Sequence, residues 1–208
     1  MIILNNDIFK DFSIVNKVAD VDYFASHSNN NYASRNQPNS KLVKEDGVTG
    51  KRGEWVAYYA LKPFFPDITE PDMNIYRPGS KNWNTDMQAG KIEFACKTCD
   101  QHTIDGFTLS WIVQRQDKTG YGRDLRFYGK DNQNDLFIGI ELNKDATSGH
   151  IAAIIPVKFI VDNKILALPG STKMQEVKDA IYASHLTFFG IRRGFIHSSV
   201  FEFLKKYE

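Results

Sequence analysis

The chain has 208 residues, 42% of them hydrophobic and 13% aromatic, which is enough to bury one sizeable core, and we expect a single domain over residues 1–208. With 26 Lys and Arg residues against 25 Asp and Glu residues, the formal charge is +1, which excludes a protein drawn to nucleic acid by its overall charge. No apolar run reaches the length of a membrane span, and polar residues follow directly after the first four, so we expect no membrane partner and a cytoplasmic location.

Residues 1–46 are predicted to form an N-terminal helix and a polar arm. Apolar residues recur at helical spacing between residues 2 and 24, and Asn5 or Asn6 is suited to cap such a helix. Residues 26–40 are rich in Asn and Ser, a composition typical of a loop. We interpret this arm as a solvated connector, and the alternative that it folds onto DNA or a second subunit stays open.

A second helix is predicted over residues 47–61, with an apolar side that includes Trp55 and Tyr58 and with Pro63 just beyond its end. Glu54 lies in the first turn of this predicted helix, where a carboxylate complements the helix dipole. The alternative is that Glu54 faces the sheet and supplies a carboxylate to a metal site.

Residues 83–97 are predicted to form a β-hairpin around which the chain is organised. Because side chains alternate along a strand, Glu93, Ala95 and Lys97 share one face of the second strand. Asp86 opens the first strand, so an acid from one strand can meet an acid and a lysine from the other. Two carboxylates beside a lysine suit a divalent metal and a metal-bound water that attacks a phosphodiester.

Asp86, followed by Lys97 at the end of the next strand, resembles the PD-(D/E)xK nuclease superfamily, which includes many restriction enzymes and phage or repair nucleases. The helix that carries Glu54 is similar to the glutamate-bearing first helix of that fold. Residues 110–114 are similar to its next core strand. The resemblance covers residues 48–142, which we interpret as the nuclease core.

The resemblance implies a restriction-endonuclease-like α/β fold, with a central mixed β-sheet flanked by helices. It also implies a Mg²⁺-dependent deoxyribonuclease, an endonuclease that hydrolyses DNA phosphodiester bonds, with Mn²⁺ as a substitute metal. DNA is the implied partner. A homodimer is one expected arrangement, because two sites related by a twofold axis cut both strands of a duplex most simply.

Five residues receive roles from this resemblance. Asp86 and either Glu93 or Glu54 are expected to hold the metal. Lys97 is expected to position or activate the attacking water and to stabilise the charge that develops on the phosphate. Gln114 is a candidate to orient the lysine or the water, although a polar residue on the solvent face of a strand gives the same pattern.

The acid expected two residues before Lys97 is Ala95. This difference favours a second interpretation, a catalytically inactive nuclease-like module that binds DNA or another protein. The dipeptide Pro71-Asp72 spells the first letters of the family motif, but it is typical of turns, and we place Asp86 ahead of Asp72.

Cys96 and Cys99, the chain's two cysteines, lie close to His102 and leave open a zinc or dithiol site. A second cysteine pair for zinc is missing, and residues 98–108 show no amphipathic helix of the kind that a thioredoxin-like motif opens. We therefore expect an inward-facing Cys96 that packs as a small apolar residue and a Cys99 at the end of the strand, in a reducing compartment.

The charged segment over residues 117–135 interleaves Lys and Arg with aromatic residues, a pattern suited to a nucleic-acid backbone and equally typical of an exposed loop. Beyond it we predict strands over residues 136–142 and 151–160. Helices are predicted over residues 171–182 and from Ser198 or Ser199 onward.

Overall fold

A computed structural model gives the fold, and it describes residues 4–28, 40–76, 85–115, 124–129, 134–192 and 194–207. Most of the predicted polar arm and the first two residues of the predicted hairpin lie outside the described residues. Much of the charged segment over residues 117–135 also lies outside them.

The centre of the fold is a five-stranded mixed β-sheet, accompanied by a separate two-stranded sheet. The strands are β1 (Phe12–Ser13), β2 (Met87–Ala89), β3 (Ile92–Cys99), β4 (Ser110–Gln114), β5 (Asp135–Leu142), β6 (Ser148–Pro156) and β7 (Lys178–Tyr182). The strand order of the central sheet is β1-β6-β5-β3-β2. Strands β3 and β5 are parallel, and the other neighbouring pairs are antiparallel. The two-stranded sheet pairs β4 with β7 in antiparallel orientation.

Helices flank the central sheet, so the predicted α/β class with a central mixed sheet is confirmed. The α-helices are α1 (Val18–His27), α2 (Ser40–Leu61), α3 (Gln101–Phe107), α4 (Leu125–Tyr128), α5 (Val157–Asp162), α6 (Thr172–Gln175), α7 (Ala183–Phe188) and α8 (Ser198–Leu204). Short 3₁₀ turns span Asn6–Phe9, Val15–Lys17 and Lys205–Tyr207. Among the described helices, none is long and apolar enough to cross a membrane.

The central sheet separates two apolar cores. Phe94 of β3 and Ile138 of β5 belong to the first core, which α2 and α8 cover. Ala95 and Phe137, the next residues along the same strands, belong to the second core, together with Trp111 of β4. Because both faces of β5 are covered, its sequence is a nearly continuous apolar run rather than an alternating one.

Gly53 allows α2 to lie directly against β3. A Cβ atom added at Gly53 would lie 2.8 Å from the Cβ atom of Thr98, closer than side-chain carbons approach one another. The absence of a side chain at Gly53 therefore sets the spacing between the helix and the strand, and with it the position of Glu54, the next residue of the helix.

The N-terminal predictions need two corrections. The predicted first helix is wrong over residues 5–17, because Asn5 caps only a 3₁₀ turn and Phe12–Ser13 extends to pair with β6. The second helix begins at Ser40 rather than at residue 47. In these added turns, Lys41 forms a 3.8 Å ion pair with Glu45, which supports the helix. Glu54 consequently lies well inside the helix, and its predicted place in the first turn is wrong.

The structure of residues 98–115 departs from the predictions in two respects. Residues 101–107 form α3, whose first turn is capped by Asp100, with a carboxylate that accepts a 2.9 Å hydrogen bond from the Thr103 N–H. Strand β4 does form, but it pairs with β7 and is not part of the central sheet.

The C-terminal predictions are partly confirmed. The strand predicted over residues 151–160 ends at Pro156 and continues as α5, since proline has no N–H to donate to a sheet. The helix predicted over residues 171–182 is only α6, and the chain then extends as β7 because β4 offers it a pairing edge. The final helix begins at Ser198, as predicted.

Candidate functional site

The hairpin predicted around Asp86 forms between β2 and β3. Met87 lies opposite Phe94 across the two strands, and Gly90 makes the turn with a φ of 55°, a left-handed value that glycine adopts readily. Asp86 directly precedes β2, and its Oδ2 atom accepts a 2.8 Å hydrogen bond from the Cys96 backbone N–H. This bond fixes the Asp86 carboxylate at the edge of the sheet, beside the middle of β3.

Glu93, Ala95 and Lys97 share one face of β3, as their alternation predicts. Across the parallel pair, Glu93 lies opposite Asp135 and Ala95 lies opposite Phe137. Ala95 is 1% exposed and belongs to the second core, so the position two residues before the lysine is packed with apolar side chains. Glu93 is four residues from Lys97, which separates their Cα atoms by roughly 13 Å along the strand.

Lys97 forms an ion pair with Asp124, the residue that precedes α4. The Lys97 Nζ atom lies 2.5 Å from Asp124 Oδ2, and the two side chains are 28% and 8% exposed. Burial alone lowers the pKa of Lys97, but the negative charges of Asp124 and Asp86 outweigh it and raise that pKa above its ordinary value. Lys97 is therefore a positive charge at neutral pH, held by Asp124 and stabilised by the charge of Asp86.

Gln114 takes part in this arrangement through its backbone. Its carbonyl oxygen accepts a 2.7 Å hydrogen bond from the Asp124 N–H, so β4 holds Asp124 in place. The Gln114 side chain is half-buried on the second sheet. The contact that the structure gives Gln114 thus positions the partner of Lys97, and the predicted orienting role of its side chain remains a prediction.

A second group of charges surrounds the start of β5. Asp135 is 1% exposed, and the Nε atom of Arg126 lies 3.7 Å from its Oδ2 atom. The pKa of Asp135 is raised to about 7, chiefly by burial. The nearby charges of Glu93 and Asp124 add to that rise, and the positive charge of Arg126 offsets only part of it. Glu93 therefore interacts chiefly with Asp135 rather than with Lys97.

Glu54 approaches from the other side of the sheet. It is 8% exposed, and its Oε2 atom lies 2.5 Å from the Nζ atom of Lys51, one turn earlier in α2. Burial is the main reason that the pKa of the Cys96 thiol is raised, and the charges of Asp86 and Glu54 add to the effect. The charge of Asp86 thus raises the pKa of both Cys96 and Lys97, and the charge of Glu54 contributes at Cys96.

The three carboxylates that could bind a metal around the hairpin, those of Asp86, Glu54 and Asp124, all have partners. Asp86 accepts a hydrogen bond from the Cys96 N–H. Glu54 forms an ion pair with Lys51, and Asp124 forms one with Lys97. Carboxylate oxygens are the donors that Mg²⁺ takes in proteins. Within the described ranges, however, no group of three or more His, Cys, Asp or Glu side chains has a geometry that could hold a metal ion. A metal at Asp86 would have to draw at least one further carboxylate away from its partner.

The two cysteines behave as packed apolar residues. Cys99 is fully buried in the second core, whereas Cys96 is half-buried and packs against the first. Their side chains lie on opposite faces of β3, since they are three residues apart. Burial raises the pKa of Cys99 to about 11, so its thiol carries its proton at neutral pH. Cys96 packs against an apolar core as predicted, and the burial of Cys99 was not predicted. Because the two side chains lie on opposite faces, they disfavour a shared zinc or dithiol site.

Sequence patterns missed the partners of the predicted residues. Asp124, Arg126 and Asp135 fall at the end of the charged segment, where their mixed signs are typical of an exposed loop. The one usable signal was an acid directly before the apolar run of β5, a position that a buried ion pair can occupy.

No protein-family model matches the sequence, and no curated protein or solved structure matches it either.

Proposed function

We propose that this protein is a metal-dependent endonuclease that hydrolyses DNA phosphodiester bonds and has a restriction-endonuclease-like fold. The observation that carries the proposal is the positive charge of Lys97 on the hairpin strand, which Asp124 contacts at 2.5 Å and the charge of Asp86 also stabilises. The resemblance of the Asp86 and Lys97 pattern to PD-(D/E)xK nucleases supports the same reaction.

Lys97 acts in this proposal as a cation rather than as a base. A lysine with a raised pKa holds its proton at neutral pH and cannot accept another. It can donate hydrogen bonds to the phosphate and stabilise the negative charge that develops when water attacks. Asp124 keeps the ammonium group in place, and the Gln114 carbonyl keeps Asp124 in place.

Asp86 is the proposed centre of the metal site. Mg²⁺, or Mn²⁺ in its place, would supply a Lewis acid and a bound water of lowered pKa when present. Glu54 would contribute from the α2 side, and Asp124 from the Lys97 side in place of the acid missing at Ala95. Glu93, about 13 Å from Lys97 along the strand, would act indirectly through Asp135. A homodimer remains the proposed arrangement for cutting both strands of a duplex.

The second candidate function is a nuclease-like module that binds DNA or a protein without cleaving. The burial of Ala95 at 1% exposure among apolar side chains favours it, because no acid at that position faces a metal. The ion pair of Glu54 with Lys51 favours it too, because it already satisfies the helix carboxylate.

The proposal is tested by incubating supercoiled plasmid with the protein in Mg²⁺, in Mn²⁺ and in EDTA. We expect nicked and linear products with either metal, none in EDTA, and none for Asp86→Asn with either metal. Asp67→Asn, which alters an exposed acid in the loop before β2, is the matched control and should cleave like wild type. Intact plasmid with both metals, together with retained DNA binding, would replace the nuclease by the binding module.

A further inference from the structure

An open cavity of about 680 Å³ borders the proposed catalytic aspartate. Asp86 is one of its lining residues, and the 3₁₀ turn before α1, α1 itself, α2, the loop before β2 and the start of β2 supply the others. Its volume lies within the range of about 300–1,000 Å³ that small-molecule and cofactor sites occupy. The cavity is therefore large enough for one nucleoside beside the proposed site of cleavage.

Aromatic rings form part of the cavity wall. Tyr23 and Phe24 line it from α1, and Trp55 lines it from α2. Trp55 is 3% exposed, and its Nε1 atom finds no hydrogen-bond partner within the described part of the chain. The Lys17 Nζ atom lies 4.1 Å from the centre of the Trp55 ring. Trp55 is therefore covered and forms the back of the cavity wall, whereas Tyr23, which is 61% exposed, presents a ring on which a planar heterocycle can stack.

The charges of the wall disfavour a phosphate inside the cavity. Among the residues that the structure describes, its lining contains one basic residue and four acidic ones, namely Lys17 against Asp20, Glu70, Asp72 and Asp86. Carboxylates accept hydrogen bonds from the amino groups of adenine, cytosine or guanine, whereas they repel the phosphodiester backbone. A bound strand would therefore keep its phosphates outside the cavity and place a neutral base inside.

The acceptors in the cavity are already oriented. The backbone N–H and the side-chain amide of Asn74 donate to Asp72 Oδ1 at 3.0 and 2.8 Å, and the Tyr76 hydroxyl donates to Asp72 Oδ2 at 2.7 Å. Although burial alone raises the pKa of Asp72, these hydrogen bonds lower it below its ordinary value. Asp72 thus stays ionised as an acceptor, and Gln88 adds an exposed amide to the same wall.

We infer that this cavity, here named the base cavity, binds an amino-bearing nucleobase of an unpaired nucleotide in the DNA substrate. The inference rests on the proposed nuclease function, since it assigns the substrate of the Asp86 site. It makes single-stranded, bulged or mismatched DNA the substrate class rather than fully paired duplex.

The test is equilibrium binding of fluorescein-labelled duplexes, followed by anisotropy in EDTA so that no cleavage interferes. The probes share one sequence and differ at one position, which is fully paired, an unpaired adenine, an unpaired thymine or an abasic residue. We expect the unpaired adenine to bind about tenfold tighter than the paired and abasic probes, because stacking and hydrogen bonds are gained together. Thymine, which has no amino group, should bind more weakly than adenine.

Variants connect this preference to the base cavity. Asn74→Ala removes an exposed amide that holds Asp72, and Trp55→Phe replaces the indole of the cavity wall by a smaller ring. Each should reduce the adenine preference by about fivefold or more. Asn163→Ala, which alters an exposed asparagine in the turn after α5, should leave the preference unchanged.

Equal affinity for the adenine, abasic and paired probes would overturn the inference. An adenine preference that survives in Asn74→Ala and Trp55→Phe alike would overturn it too. Failure of the nuclease proposal is seen separately: an adenine preference in EDTA without plasmid cleavage in Mg²⁺ or Mn²⁺ supports the base cavity and contradicts the enzyme. Cleavage of plasmid without any adenine preference supports the enzyme and contradicts the base cavity.

Discussion

The ammonium group of Lys97 lies 2.5 Å from the carboxylate of Asp124, although the two residues belong to separate elements of the fold. Strand β3 carries the lysine, and the residue before α4 carries the acid. Ala95 lies in the apolar second core, so Asp124, rather than a residue of β3, provides the carboxylate nearest to the lysine.

Asp124→Asn should weaken both the fold and the proposed activity. Without Asp124, burial lowers the pKa of Lys97 with less to oppose it, and the lysine loses its anchor. Breaking this largely buried pair should lower the free energy of unfolding by roughly 1–3 kcal/mol at pH 7. Urea unfolding measures the stability, and plasmid nicking should fall by about a hundredfold or more.

Asp162→Asn is the matched control for Asp124→Asn. It breaks the 2.7 Å ion pair of Asp162 with Lys158, whose side chains are about half exposed at 54% and 50%. An exposed pair of this kind contributes about 0.5 kcal/mol or less, so stability and nicking should stay close to wild type. Equal losses in the two variants would show that the Lys97 pair has no special role.

The stability of the protein should fall as the pH rises from about 4 to 7, through the contribution of Asp135. In the native state Asp135 holds a proton up to a pKa of about 7, because it is buried. The unfolded chain releases that proton near pH 3.9, so over this window the native state binds more protons and a rising pH favours unfolding. Above that window the contribution is constant.

Asp135→Asn should remove most of this slope. Urea unfolding at pH 5, 6, 7 and 8 measures the slope of stability against pH. At pH 8 the variant should gain free energy of unfolding, although the loss of the ion pair with Arg126 limits that gain. Asp67→Asn, at an exposed acid, should keep the wild-type slope. A variant at residue 135 with an unchanged slope would contradict the assignment of the raised pKa to Asp135.

Glu54→Gln should destabilise the protein more than the double variant Lys51→Met with Glu54→Gln. The single change leaves the buried Lys51 charge without its 2.5 Å carboxylate partner, which typically costs about 3–5 kcal/mol. Removing both charges avoids most of that penalty. Thermal unfolding gives the order of stability.

Nicking by the double variant then separates structure from chemistry. If Glu54 contributes to the metal site, the double variant regains stability and stays inactive. A stable double variant with wild-type nicking would remove Glu54 from the proposed site and leave Asp86 and Asp124.

Gly53→Ala should destabilise the protein, whereas Gly50→Ala in the same helix should stabilise it. An added Cβ atom at Gly53 would lie 2.8 Å from the Thr98 Cβ atom, and one at Gly50 would meet nothing within 4 Å. Overpacking costs about 1–3 kcal/mol, while replacing an open helical glycine by alanine gains about 0.5–1 kcal/mol. Urea unfolding of both variants checks the two signs.

A compensating change tests the contact itself. Adding Thr98→Ala to Gly53→Ala removes the Oγ1 and Cγ2 atoms that the new methyl group would strike but keeps the Thr98 Cβ atom, so it should restore part of the lost stability. If the two changes were merely additive, the close approach of α2 to β3 would not be the cause.

The parts of the fold that were predicted correctly depend on local patterns. Alternation along residues 92–99 and Gly90 at the turn define the hairpin between β2 and β3, and the shared face of Glu93 and Lys97 follows from the pleat. The end of α2 was also predictable, because Pro63 follows it closely. Each of these features is decided within about ten residues of chain.

The missed parts depend on contacts between distant segments. Strand β7 has helical spacing in its apolar residues, yet it extends because β4 presents an open edge beside it. The pairing of Asp124 with Lys97 and of Asp135 with Glu93 requires the sheet to be assembled first. No spacing rule within one element reveals such pairs, so the predicted acids were identified without their partners.

The most direct test of the proposed function compares plasmid nicking by wild type and Lys97→Ala in Mg²⁺, with Lys91→Ala as the matched control. Lys91 is exposed in the turn of the same hairpin, so its loss removes an equal charge outside the proposed site. We predict that Lys97→Ala lowers the nicking rate by about a hundredfold or more while Lys91→Ala leaves it within about twofold of wild type. Equal rates for wild type and a folded Lys97→Ala variant, or no nicking by any of the three proteins, would contradict the account.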